Sequence, residues 1–442
     1  MVHITQESVA TLIDPHDHNR YEVVKVSGLI AEPLRVVLDS GTGTKPASID
    51  SFGRLRISNP LTLFDSSYRH QDNGLWATSV ANSGTATFNA NQGLMDMAVT
   101  TTSGSKVYRE TLRVFPYQPG KSLLILSTFV FNAAKENLRQ RVGYFDSDNG
   151  FFLELSGTTL SFVRRSFVSG SLVETKISQS DWNTDKLDGT GLSGITLDMT
   201  KAQILWSDME WLGVGSVRMG FVIDGILITC HTFNHANISG STYITTATLP
   251  LRYEIENTGT TGSNSTLKQI CGSVISEGGY QLSGNSYSVG TPIATPVSLT
   301  TAGTVYPVVS LRLIASPNRL NAVSILSGAS VLGVTGNVIY NWQLISNGVT
   351  AGGSWSNANA TANVEYKIGG TSITGGTVLA SGYISSTNQS TNSFDLATEE
   401  LFKYQLTREP FTSTPQELTL AVTANTNTST VHGSLDFQDI TH

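Results

Sequence analysis

The sequence predicts an all-β protein with an N-terminal extended arm and two antiparallel β-domains. Three observations carry this. Charged residues are only 14% of the 442, and 41 glycines stand among abundant Ser, Thr and Asn. That is far below the charge of helix-rich soluble surfaces. Short runs of alternating apolar residues recur, separated by Gly, Asn, Asp and Ser turns at roughly ten-residue spacing, the rhythm of a sandwich. No long segment carries the 3.6-residue period of an amphipathic helix. At about 150 residues per domain the length allows two to four domains.

In chain order, residues 1–60 form an arm. It holds a His/Asp cluster, Asp14-Pro-His16-Asp-His18, then two apolar runs starting at Tyr21 and Leu34, then a Gly/Ser/Thr stretch. Strands without local partners are marginal in water, so the arm is expected to pair with another chain. Residues 61–285 are the best-patterned region. Val217, Met219, Phe221 and Ile223 alternate on one face, and Asp224-Gly225 follows. Asp-Gly suits a type I′ turn because both central residues need positive φ. Ile226, Ile228 and Cys230 continue the face on the return strand. Asn149-Gly150, Ser156-Gly157 and Ser169-Gly170 mark three further turns. Residues 286–302 read as a linker. Residues 303–442 carry more short strands, beginning near Val308, Val338, Phe402 and Leu418, with one or two helical turns capped by Asp395.

Several patterns have the residue types of a reactive site. Glu254 and Glu256 stand at i, i+2 on one strand face, about 7 Å apart. Paired strand carboxylates serve glycoside hydrolysis, but Asn257-Thr-Gly259 follows where a third acid is needed. Asp208 and Glu210 form a similar pair beside Trp206 and Trp211. His16 and His18 are candidate metal ligands, which several copies together would be needed to complete. His231 and His235 lie about 13 Å apart in an extended strand, too far to share one ion. Asp146-Ser-Asp148-Asn-Gly150 has the opening of a calcium loop, with its Gly one place early and Gly157 where Glu belongs. It reads as a hairpin tip. No nucleophile elbow and no phosphate loop occurs. Trp182, Trp206 and Trp211, in a segment rich in Asp, are candidate glycan contacts, with the sandwich core or a subunit interface as their other place. Catalytic residues, cofactors and a resident metal are not expected.

Composition bounds the partners. The net charge of −7 offers no basic surface for nucleic acid. The richest apolar stretch, around Leu123, is far short of the ~20 residues of a membrane span. Cys230 and Cys271 are too few for a disulfide scaffold and read as small apolar strand residues. The first residues lack the pattern of a signal peptide, so a cytosol-like folding compartment is expected.

A set of motifs adds a resemblance. Ser51-Phe-Gly-Arg-Leu-Arg-Ile-Ser-Asn-Pro-Leu-Thr-Leu-Phe-Asp65 is the longest. Val142-Gly-Tyr-Phe-Asp-Ser-Asp-Asn-Gly-Phe151, Trp182-Asn-Thr-Asp-Lys-Leu-Asp-Gly189 and Glu210-Trp-Leu-Gly-Val-Gly215 follow. Leu249-Pro-Leu-Arg-Tyr-Glu-Ile-Glu-Asn257 and Glu277-Gly-Gly-Tyr280 complete it. Together they resemble virion structural proteins of tailed phages of marine and cyanobacterial type, and of large algal viruses. The resemblance implies a lectin-like, concanavalin-type jelly roll in the middle region. It implies a non-enzymatic virion protein, a head decoration, fibre or tail component, assembled in the host cytoplasm and attached by its arm. It carries no catalytic residue. Expected partners are other virion proteins and further copies of the chain, a homotrimer first. Two other readings are a receptor-binding protein that holds host glycan and a polysaccharide depolymerase.

Overall fold

The computed structural model describes residues 59–386 and 404–440, and the backbone of strands Val9–Ile13, Arg20–Val24 and Asn392–Asp395. The chain divides into two compact units, Met1–Ser58 and Asn59–His442. In the first unit Val9–Ile13 pairs antiparallel with Arg20–Val24, so the apolar run beginning at Tyr21 has a local partner after all. His16 and His18 fall in the connection between these strands, outside the described residues, as does the run beginning at Leu34.

The second unit is built from β-strands in two sandwiches. One sheet of the first sandwich has seven antiparallel strands. From edge to edge they are Val173–Ser178, Thr159–Ser166, Gly150–Ser156, Leu138–Phe145, Leu251–Asn257, Lys106–Thr111 and Trp76–Ala81. The facing sheet has eight strands with Leu123–Val130 near its centre, and Leu61–Ser67 pairs along Ser265–Ser276. Alternation explains the burial. In Leu123–Val130 every second residue is buried and its neighbours are half-buried, as the two-residue period of a pleated strand requires. Phe129, Val142, Tyr253, Phe162 and Phe221 meet between the sheets in one core.

The expected turns form. Val217–Ile223 and Ile226–Phe233 pair around Asp224 at φ 50 and Gly225 at φ 79. A bulge opposite Met219 and Gly220 breaks the alternation of the return strand, so Cys230 and His231 are both buried although adjacent. The turn before Gly150 is wider than a two-residue hairpin. Phe145 pairs with Gly150, and the Asp146 carboxylate accepts the backbone N–H groups of Asp148 and Asn149, at 2.8 and 2.7 Å.

The second sandwich packs a five-stranded sheet against a six-stranded one around Val309, Leu311, Leu420, Val422 and Leu435. Its boundary differs from the sequence reading. Residues 286–302 are not a linker, because Asn285–Gly290 and Val297–Leu299 both pair with the last strand, Ser429–Asp439. Gly, Pro and Ser suggested a spacer there. A long final strand offers its edge to these short segments, and that pairing is invisible locally. Asp395, expected to cap one or two helical turns, ends a strand paired to Gly328. The residues after it lie outside the described set. Val323, Ile325 and Ile440 of the second sandwich belong to the apolar core of the first, so the seam between the sandwiches is continuous. Among the described residues no helix is long and apolar enough to cross a membrane.

Candidate functional site: the charged face at the sandwich junction

Residues on the seven-stranded sheet that point away from the core gather six buried charges, Glu110, Arg141, Glu154, Arg165, Arg252 and Glu254, on one face. Strand register sets the pattern. Arg141 lies between Glu154 and Glu254 on the neighbouring strands, and Arg252 lies beside Glu110. Arg165 faces Glu174, and Arg139 faces Glu256. Opposite charges therefore sit side by side across the strands, where Cβ atoms are about 5 Å apart. Arg141 Nε donates to Glu154 at 2.6 Å, and its Nη1 reaches Glu254 at 3.5 Å. Lys176 donates to Glu154 at 2.5 Å. Arg252 bridges Glu254 and Glu110 at 2.7 Å each. Arg139 pairs with Glu256 at 2.5 Å.

Beneath these charges Phe145, Phe152 and Val163 form a small, fully buried apolar floor. The guanidinium carbons of Arg141 and Arg165 lie 5.0 Å from the Phe152 ring centre, and that of Arg252 lies 5.6 Å from the Phe145 ring. Flat guanidinium groups cover aromatic faces well and still reach carboxylates at their edges.

The second sandwich closes one end of this face. Arg408, buried, donates through Nη2 to Glu110 at 2.6 Å and through Nε to Asn321 at 2.7 Å. Asn321 in turn donates to the Asp146 carboxylate at 3.0 Å. Gln405 donates to the Val114 carbonyl at 3.0 Å. The Phe411 ring stacks over Arg252 at 5.4 Å. Beside these contacts a polar cleft of about 310 Å³ remains, lined by Asp146, Asp148, Arg252, Asn318, Asn321 and Phe411 among others. Burial pushes the Asp146 carboxyl above the usual carboxylate range, although the N–H groups of Asn149 and Asp148 pull the other way. Burial also pushes Glu174 up, but Arg141, Arg165 and Lys176 outweigh it and hold Glu174 below that range.

The remaining candidates fall elsewhere. Glu254 and Glu256 are each spent on arginine, in place of the open pair that acid–base work needs. Asp208 is ion-paired to Arg218. Trp182 stacks on Phe162 in the core, 4.3 Å between ring centres. Trp206 is buried and donates to the Ile228 carbonyl. Trp211 is half-buried and meets Tyr117 edge-on. These tryptophans make no exposed platform. His231 accepts a hydrogen bond from the Asn183 N–H, while His235 stacks on Tyr243. Among the described residues no cluster of three or more His, Cys, Asp or Glu is placed to hold a metal.

Sequence reasoning missed the charged face as a unit. Its trace was present in Arg139-x-Arg141, Arg252-x-Glu254-x-Glu256 and Glu174-x-Lys176, charges with the strand period. Arg408 had no such signal, because its partner Glu110 is 298 residues away in sequence.

No family model and no curated protein matches this sequence. Solved structures do, at low identity. The Bacillus licheniformis β-glucanase is 14% identical over 48% of this chain and 96% of its own, with a TM-score of 0.31. Peanut lectin is 10% identical over 50% of this chain and 98% of its own, at 0.29. A carbohydrate esterase from the Shiga toxin-encoding bacteriophage phi24B is 12% identical over 49% and 99%, at 0.30.

Proposed function

We propose that the chain is a non-enzymatic structural protein of a tailed-phage virion, a surface decoration, fibre or tail component attached through its N-terminal segment. One observation carries the reading. The motif from Val142 to Phe151 and the motif from Leu249 to Asn257, both part of the virion-protein resemblance, supply adjacent strands of one sheet. Of their charges, Asp146 accepts from Asn321 and Arg252 lies under Phe411 of the second sandwich, while Arg252 and Arg141 hold Glu254 within the sheet. Such residues join two domains into one unit that can bear load between particle components. Deleting residues 1–48 tests the attachment. The expected outcome is a folded protein absent from assembled particles, and normal incorporation of the truncation defeats the proposal.

A second reading, receptor binding, is favoured by the junction cleft. Asp148 and Asn318 are exposed acceptors beside a half-buried aromatic ring, Phe411. A saccharide is recognised by that combination of acid, amide and ring. Binding of purified protein to host surface glycan, weakened by Asp148→Asn, supports it. Binding unchanged by Asp148→Asn removes the cleft from the argument.

A further inference from the structure

The strand Thr377–Ser385 lies at one edge of the six-stranded sheet, hydrogen-bonded to Ile339–Ser346 on its inner side. It has nine residues, the longest edge strand among the described residues, and none is charged or proline. Natural proteins usually blunt such an edge with charge, proline or a covering segment. Two other edges show those devices. Val173–Ser178 carries Glu174 and Lys176. Ile226–Phe233 is capped by the segment after Trp182, whose Thr184 N–H donates to Cys230 and whose Asn183 exchanges two hydrogen bonds with Thr232. Thr377–Ser385 instead exposes apolar groups, Val378 at 48%, Leu379 at 39% and Tyr383 at 75%.

Its sequence has a further property. Read outward from Ser381, the residues match in kind: Ala380 with Gly382, Leu379 with Tyr383, Val378 with Ile384, Thr377 with Ser385. An antiparallel strand laid against an identical one, with the dyad at Ser381, brings those residues opposite each other. A bulge at Leu379 turns Val378 and Leu379 outward, which limits regular pairing to the five residues from Leu379 to Tyr383. Within those five, Leu379 and Tyr383 of each copy meet on the outer face, and small residues flank the axis. The strand brings no charge to the approach, and over Leu379 to Tyr383 each copy supplies backbone partners on the side away from Ile339–Ser346. A twofold contact is isologous, so it closes on itself and leaves no free edge of this kind.

We propose that Thr377–Ser385 is a self-association surface, at which two copies of this chain join their six-stranded sheets edge to edge around Ser381. This inference does not rest on the virion reading. It differs from the sequence-based expectation of a homotrimer in the symmetry of the contact.

Cysteine cross-linking of the full-length chain tests it. In the proposed register the two Ser381 Cα atoms are about 4.5 or 5.5 Å apart, depending on which kind of antiparallel pair they form. Both distances lie within disulfide reach. The two Thr377 residues are about 26 Å apart, eight strand residues away. The Ser381→Cys variant is therefore expected to form a covalent dimer under mild oxidation, and Thr377→Cys is expected to remain uncrosslinked. Both positions are exposed, so both variants should fold, which circular dichroism checks. Solution mass gives a second readout. The wild type is expected to be dimeric, and the Leu379→Lys/Tyr383→Lys double variant to have half its mass. Equal cross-linking by both cysteine variants, none by Ser381→Cys, or a monomeric or threefold wild type overturns the proposal.

Discussion

The two sandwiches share a layer plan and differ in how they treat their outer surfaces. The first has a core rich in large aromatic rings, Phe129, Phe162, Trp182 and Tyr253, and an outer face tiled with paired charges. The second has a core of smaller aliphatic residues, Val309, Leu311, Leu420 and Val422, and ends its six-stranded sheet on a long uncharged strand, Thr377–Ser385. Buried charge is tolerable only where every partner is fixed. In the first sandwich strand register fixes most partners, and the second sandwich supplies the last one, Arg408. An uncharged edge has only backbone groups to desolvate, and a strand from a second copy would pair them.

The largest expected effect comes from unpairing the junction. Arg408→Ala removes one partner of a buried ion pair, leaving Glu110 with Arg252 alone, and is expected to cost up to about 3–5 kcal/mol. Chemical denaturation should then separate into two transitions, one per sandwich. A single transition at the wild-type midpoint would show that the apolar seam alone holds the bodies together. Replacing both partners, Arg408→Met with Glu110→Leu, should recover only part of the loss, because Arg252 is then left with Glu254 alone of its two carboxylates.

Next comes a core deletion confined to the second sandwich. Leu420 is fully buried, and Leu420→Ala should cost about 2–5 kcal/mol through lost burial and a residual cavity. The first transition to fall should be that of the second sandwich. In the Arg408→Ala background the two losses should act on separate transitions.

The comparison can be sharpened by pH, since two carboxylates of the first sandwich have opposite signs. The folded-state pKa of Asp146 is raised by burial. The unfolded chain therefore loses that proton first as pH rises, and stability falls between the ordinary carboxylate range and the raised value. Asp146→Asn removes this dependence, so the variant should gain on the wild type as pH rises toward neutral. Glu174 is held low by its cations, against its own burial. Its contribution is present above the ordinary carboxylate pKa and is lost as pH falls through the lower folded value. Glu174→Gln should therefore cost most at neutral pH and nothing in strong acid. Parallel slopes for the two variants in denaturation at graded pH would refute the assignment.

The smallest effect lies in the turn. Gly225 sits at φ 79, where an added Cβ meets nothing nearby but the backbone angle itself is strained. Gly225→Ala should cost about 1 kcal/mol, read in the Arg408→Ala background as a modest shift in the midpoint of the first sandwich alone.

Local chemistry made part of this molecule legible in the sequence. The turns at Asp224-Gly225 and Ser156-Gly157, the alternating strands beside them and the all-β class depend on neighbouring residues, and neighbouring residues are what a sequence displays. The paired acids Glu254 and Glu256 were visible as a pair, but their meaning was not. Arg252 stands on their own strand, but Arg139 and Arg141, which also neutralise them, come from a strand whose adjacency is a matter of topology. The tryptophans illustrate the same limit, since spacing could not tell a core place from an exposed one.

What the sequence by itself determined is the fold class, the turn positions and the low, mildly acidic charge, because these follow from residue type and short-range period. Only the tertiary structure decided which strands adjoin and so which charges cancel. It also decided that residues 286–302 hold two strands paired to Ser429–Asp439 rather than forming a linker. And it brought Arg408 to Glu110 across 298 residues. The physical reason is common to all three: backbone pairing and charge pairing depend on distance in space, and in a sheet protein the residues that meet are mostly far apart along the chain.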